Sequence, residues 1–88
     1  MSEPDSLEQF PCFYTFKIFG RRSETFVERV RGLIAATLGA VPLDAVKVRE
    51  SSRGRYVSVT VLIRVDSRSQ LERVYADLRA EEQVLLYI

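Results

Sequence analysis

Few side chains in this sequence could make or break a covalent bond. Histidine is absent, and Cys12 is the single cysteine of the chain. Without an imidazole, Ser–His–Asp and Cys–His arrangements lack their base. A structural zinc site lacks the Cys and His ligands on which it draws. No pair of carboxylates stands out as a general acid and base. No catalytic residue, metal ligand or cofactor is therefore expected, and Cys12, at the start of a strand pattern, reads as a small apolar filler.

Two basic stretches remain as candidates for binding. The first is Gly20-Arg21-Arg22-Ser23, between a strand pattern and a helix pattern. Freed amides and the helix dipole favour an anion at such a point, and two arginines would strengthen that. The second is a turn carrying Arg49, Arg53 and Arg55 around Gly54, followed by Tyr56. Its "RGRYVSV" (53–59) superficially matches an RNA-binding strand signature. Arg55 fills the first aromatic position, however, and Val59 and Thr60 follow where a further ring is needed. Base stacking contributes roughly 1–3 kcal/mol per base, so one tyrosine makes a weak platform, and nucleic acid ranks behind other partners.

Charge agrees with this ranking. The formal net charge is +1, with 13 basic and 12 acidic residues. Glu3, Asp5 and Glu8 are the only charges among the first nine residues, so the body beyond them is mildly basic. That is short of the clustered excess of a dedicated nucleic-acid binder. Hydrophobic residues make up 47% and charged residues 28%, the balance of one soluble globular domain. No apolar run approaches the ~18 residues of a membrane span, and the polar start "MSEPDSLEQ" is not signal-like. The expectation is a cytoplasmic protein with a disordered acidic tail over residues 1–9 and a single domain over 10–88.

The elements that must position these residues follow from periodicity. "CFYTFKIFG" (12–20) alternates as a strand, with Cys12, Tyr14, Phe16 and Ile18 on one face and Phe13, Thr15, Lys17 and Phe19 on the other. Ser23 reads as an N-cap. Phe26, Val27, Val30, Leu33, Ile34 and Leu38 then recur at helical spacing, closed by Gly39 and Pro42. "DAVKVRE" (44–50) and "YVSVTVLIRV" (56–65) are strands joined at Gly54, the second pointing Val57, Val59, Val61, Ile63 and Val65 one way. Ser67 and Gln70 fit a capping box ahead of a helix with the stripe Leu71, Val74, Tyr75 and Leu78. "VLLYI" (84–88) is the last strand.

The order strand, helix, strand, strand, helix, strand describes an α+β, ferredoxin-like βαββαβ sandwich. Two helices should cover one face of a four-stranded antiparallel sheet of order 4-1-3-2, leaving the other face open. Phe13, Lys17, Phe19, Tyr56, Leu62, Leu85 and Tyr87 are predicted to share that open face as a partner surface. Such a cluster exceeds the apolar patches usual on a monomer. The fourth strand, uncharged and free of proline, adds an unblunted edge suited to self-association or partner docking.

"FPCFYTFKIFG" (10–20) and "RESSRGRYVSVTV" (49–61) carry a more specific signal. Phe-Pro, aromatic-x-aromatic-Lys-Ile-x-Gly and Ser-Ser-x-Gly-x-Tyr-x-Ser-Val together resemble the signature stretches of the YbeD-like family of small uncharacterised bacterial proteins. The resemblance spans residues 10–88 and implies a ferredoxin-like fold similar to ACT regulatory domains. That family has no established activity, so it supplies no catalytic residue. The expected role is a non-enzymatic regulatory or interaction domain that pairs with itself or a protein partner through its sheet. The alternatives are an ACT-type small-ligand sensor using Gly20, Arg21, Arg22 and Ser23 at a subunit interface, and weak RNA binding through the sheet and basic hairpin.

Overall fold

A computed structural model describes residues 9–88. The expected disordered tail falls on residues 1–8, outside the described residues, and on Gln9, which is exposed. The elements are β1 (Cys12–Arg21), α1 (Phe26–Leu38), a 3-10 turn (Leu43–Ala45), β2 (Val46–Glu50), β3 (Tyr56–Val65), α2 (Arg68–Ala80) and β4 (Val84–Tyr87). The sheet is antiparallel with order β2-β3-β1-β4, the predicted order read from the opposite edge.

Alternation in β3 sets the register of the whole sheet. Val57, Val59, Val61, Ile63 and Val65 are buried, whereas Leu62 and Arg64 between them are exposed. Opposite them in β1, Phe16 pairs with Val61 and Ile18 with Val59, so both strands send their apolar set to the same side. Phe26, Val30 and Ile34 of α1 and Leu71, Val74 and Leu78 of α2 close the core over that side. Tyr14, Phe16 and Tyr75 form an aromatic cluster beneath α2, with Phe16 and Tyr75 ring centroids 5.5 Å apart.

Local chemistry fixes the element ends. In the β2–β3 hairpin Gly54 adopts φ 70, a left-handed conformation costly for residues with a Cβ. The Gly54 amide donates to the Ser51 carbonyl at 2.9 Å. At α2 the Gln70 amide donates to the Ser67 hydroxyl at 3.2 Å. The Gln70 side-chain oxygen accepts from the amide of Asp66 at 2.8 Å, one residue ahead of the cap.

Two boundaries depart from the sequence expectation. The first helix begins at Phe26 with Thr25 as its N-cap and no capping side chain, so Ser23 is not the cap. The β1–β3 ladder runs one rung further than expected, since the Arg22 amide donates to the Arg55 carbonyl at 2.9 Å. That rung holds the chain extended and delays the helix. The second strand begins at Val46 rather than Asp44, because Pro42 starts a 3-10 turn in which the Ala45 amide donates to the Pro42 carbonyl.

Candidate functional site

The side of the sheet away from the helices is uncovered by any described element. Register places Phe13, Thr15, Lys17, Phe19 and Arg21 of β1 on it, opposite Arg64, Leu62, Thr60, Ser58 and Tyr56 of β3. From β2 come Lys47 and Arg49, which pair with Thr60 and Ser58. Phe13 is 71% exposed, and Tyr56 and Leu62 are also exposed, while Phe19 is half-buried. Of the predicted partner-surface residues, Phe13, Lys17, Phe19, Tyr56 and Leu62 therefore share one face.

Tyr87 does not, and the prediction for it is corrected. It lies opposite Ile18, packs on the core, and its ring centroid is 5.7 Å from that of Tyr75 on α2. The cause is a bulge. Phe19 pairs with Leu86 but Gly20 pairs with Val84, leaving Leu85 as an extra residue. A bulge sets two residues against one and shifts alternation beyond it. Leu86 consequently takes the open-face position opposite Phe19. Ile88, whose amide and carbonyl exchange 2.9 Å hydrogen bonds with Lys17, takes the next one. Leu85 is exposed at the bulge itself. Leu86 and Ile88 were missed because strict alternation was assumed, although a glycine inside a strand pattern, here Gly20, signals a bulge.

The face continues into a groove of about 690 Å³ lined by Phe13, Thr60, Leu62 and Lys47, among others, with the carboxylates Asp44 and Asp66 also on its wall. It arises because β2 pairs with β3 only between Val57 and Val61. Beyond Val61 the α1–β2 connection runs beside β3 in place of a strand. Sequence reasoning missed this groove, since it depends on how far β2 extends.

The predicted anion site is not assembled. Gly20 is buried, and a Cβ there would overlap the Phe26 ring, so its role is close packing. Arg21 points to the open face, while the Arg22 guanidinium is held by Glu50 at 2.9 Å. Adjacent strand residues face opposite ways, which separates the two arginines. Ser23 Oγ lies 3.4 Å from Thr25 Oγ1. The shallow depressions beside Ser23 also carry carboxylates, Glu82 in one and Glu24 and Glu50 in the other. In the basic hairpin, Arg49 reaches the open face, whereas Arg53 and Arg55 sit in the turn, all three exposed.

Charge is distributed unevenly between the two sides. Four of the five helix arginines are paired: Arg31–Glu28 at 3.0 Å, Arg73–Asp77 at 3.4 Å, Arg68–Glu72 at 3.5 Å and Arg29–Glu81 at 3.8 Å, Arg79 being the exception among the described residues. The strands contribute only cations to the open face: Lys17, Arg21, Lys47, Arg49 and Arg64. Arg64 meets Asp66 at 2.9 Å. Among the described residues, the other four have no carboxylate within ion-pair distance. Lys17 Nζ instead lies 6.0 Å from the Phe19 ring centroid.

Among the described residues no helix is long and apolar enough to cross a membrane. No group of three His, Cys, Asp or Glu among them could hold a metal ion.

Comparison with known proteins agrees with the resemblance carried by residues 10–20 and 49–61. Residues 5–88 match the family described as "Protein of unknown function (DUF493)". A UPF0250 protein of Shewanella woodyi is 41% identical over 81 residues, covering 91% of this chain and 89% of its own. One from Chromobacterium violaceum is 31% identical over 86 residues, covering 98% and 97%. The solution structure of protein HP0495 from H. pylori superposes with TM-score 0.69 at 15% identity, covering all of this chain and 96% of that one. The ACT domain from GTP pyrophosphokinase of Chlorobium tepidum gives TM-score 0.66 at 13% identity, covering 88% and 83%. These two likenesses concern the fold, a ferredoxin-like, ACT-like α+β sandwich.

Proposed function

This chain belongs to the DUF493 family of proteins of unknown function, and from that premise we propose that it is a non-catalytic association module docking a polypeptide through its open sheet face. The observation that carries this reading is where the apolar surface lies. Phe13, Tyr56, Leu62, Leu86 and Ile88 are all exposed, and strand pairing gathers them on one face that no helix covers. A folded chain leaves scattered apolar side chains in water without consequence, but a contiguous group is a contact surface. β4 reinforces the reading. It pairs with β1 alone, and neither charge nor proline blunts its free edge.

Leu62→Lys tests this reading. Leu62 is exposed, so the variant should keep its melting behaviour within about 0.5 kcal/mol of the parent. Wild-type chain should sediment as an assembly or retain a companion polypeptide through purification from its own cell extract. The variant should do neither. A wild-type protein that is monomeric at high micromolar concentration and retains nothing, or a variant that associates as well as its parent, contradicts the reading.

A further inference from the structure

The charge pattern says what kind of polypeptide fits this face. Five cations project from the strands onto it against two carboxylates at the groove, Asp44 and the Arg64 partner Asp66, while ion pairs hold four of the five helix arginines. Two copies meeting face to face would bring this cationic set against itself. Like charges set opposite each other across an interface are strongly unfavourable, so a second copy is a poor occupant.

A nucleic acid would supply anions, and its bases would stack on rings gathered on the central strands. Here Phe13 stands opposite Arg64, Phe19 opposite Ser58, and Tyr56 opposite Arg21. No ring stands directly opposite another across β1 and β3, and only Phe19 and Tyr56 are diagonal neighbours. The remaining apolar positions are the aliphatic Leu62, Leu86 and Ile88, which bury well against aliphatic side chains and offer no stacking surface to bases.

We infer that the open face receives an acidic polypeptide segment carrying interspersed apolar side chains, its carboxylates meeting Lys17, Lys47 and Arg49 and its apolar groups entering the groove beside Leu62. This rests on the reading of the face as a docking surface and adds the chemistry of the partner. Lys47 and Thr60 form one cross-strand pair, and Arg49 and Ser58 the next. The cations are thus spaced along β2 beside the groove that Leu62 and Phe13 line. An extended segment that carries its carboxylates and its apolar side chains at every second residue, on one side, matches that spacing, since the intervening side chains point away.

The test is a titration of the isotopically labelled full chain, followed by amide chemical shifts, with three probes. These are a synthetic decapeptide with Glu and Leu in turn at every second position and Ser between them, its counterpart with Lys for Glu, and a uridine decanucleotide. The acidic peptide should shift Lys17, Lys47, Thr60 and Leu62 and leave α1 and α2 unmoved. The double variant K47E/R49E, altered at two exposed positions, should bind it at least about tenfold more weakly. Equal binding of the basic peptide overturns the acidic partner while leaving face docking intact, and tighter binding of the oligonucleotide overturns it in favour of nucleic acid. No shift from any probe overturns the acidic partner alone if Leu62→Lys still abolishes association. If no association exists to abolish, it overturns the docking reading as well.

Discussion

Gly20→Ala is expected to destabilise the protein by about 3 kcal/mol, the upper part of the usual range for overpacking. A Cβ at position 20 would overlap the Phe26 ring and stand 2.6 Å from the carbonyl oxygen of Gln83. The ring could turn aside, but Phe26 is fully buried at the first turn of α1 and has little room to do so. The carbonyl belongs to the backbone entering β4 at the bulge, so relief there means shifting the strand. At roughly 4–8 °C per kcal/mol for a domain of this size, the melting temperature should fall by more than ten degrees. Gly32→Ala provides the opposite sign. Gly32 is exposed in the middle of α1, with nothing within 4 Å of its added Cβ. Alanine there should stabilise by up to about 1 kcal/mol. Thermal melts of both variants check the pair, and a neutral Gly20→Ala would show that α1 does not pack on β1 as described.

Phe16→Ala and Phe13→Ala should separate structure from function on one strand. Phe16 is 0% exposed and Phe13 is 71% exposed, three residues apart and on opposite faces. Phe16 sits in the aromatic cluster, its ring centroid 5.2 Å from that of Tyr14 and 5.5 Å from that of Tyr75. Truncation leaves a cavity among neighbours that cannot collapse into it, and buried Phe→Ala changes cost about 3–5 kcal/mol. In a domain whose total stability is of the order of 5–15 kcal/mol, that is a large share. Phe13→Ala should change stability by no more than about 0.5 kcal/mol, and its effect should appear in association instead. Urea unfolding midpoints measure the first difference and affinity for the docked polypeptide the second. Comparable destabilisation by the two changes would mean that Phe13 is covered.

Where local chemistry decides the structure, the sequence could be read. The five alternating apolar residues of β3 fixed its face without ambiguity, because a slip of one residue would have buried Ser58, Thr60 and Arg64. Ser67 and Gln70 announced α2, and Gly54 announced the hairpin. The errors lie where a distant contact overrides a local pattern. Arg21 and Arg22 look like one basic cluster, yet Arg22 is held by Glu50, 28 residues away, across a hairpin whose register no local motif states. Ser23 has the chemistry of a cap, but the chain is still paired at Arg22 and the helix starts only at Phe26, with Thr25 at the cap position. Tyr87 was assigned by simple alternation, and one extra residue at Leu85 turned it toward Tyr75 and brought Leu86 and Ile88 to the open side. The cationic residues of the face were each visible in the sequence. That four of them lack a carboxylate, while four of the five helix arginines have one, emerges only when the chain is folded.

The central claim, that the protein works through its open sheet face, is tested most directly by photo-crosslinking in living cells. A benzophenone side chain is placed in turn at Phe13, at Leu62 and, on the helix layer, at the exposed Arg79. The account predicts a discrete adduct from positions 13 and 62 and none from position 79. An adduct from position 79 with none from the sheet face would contradict it.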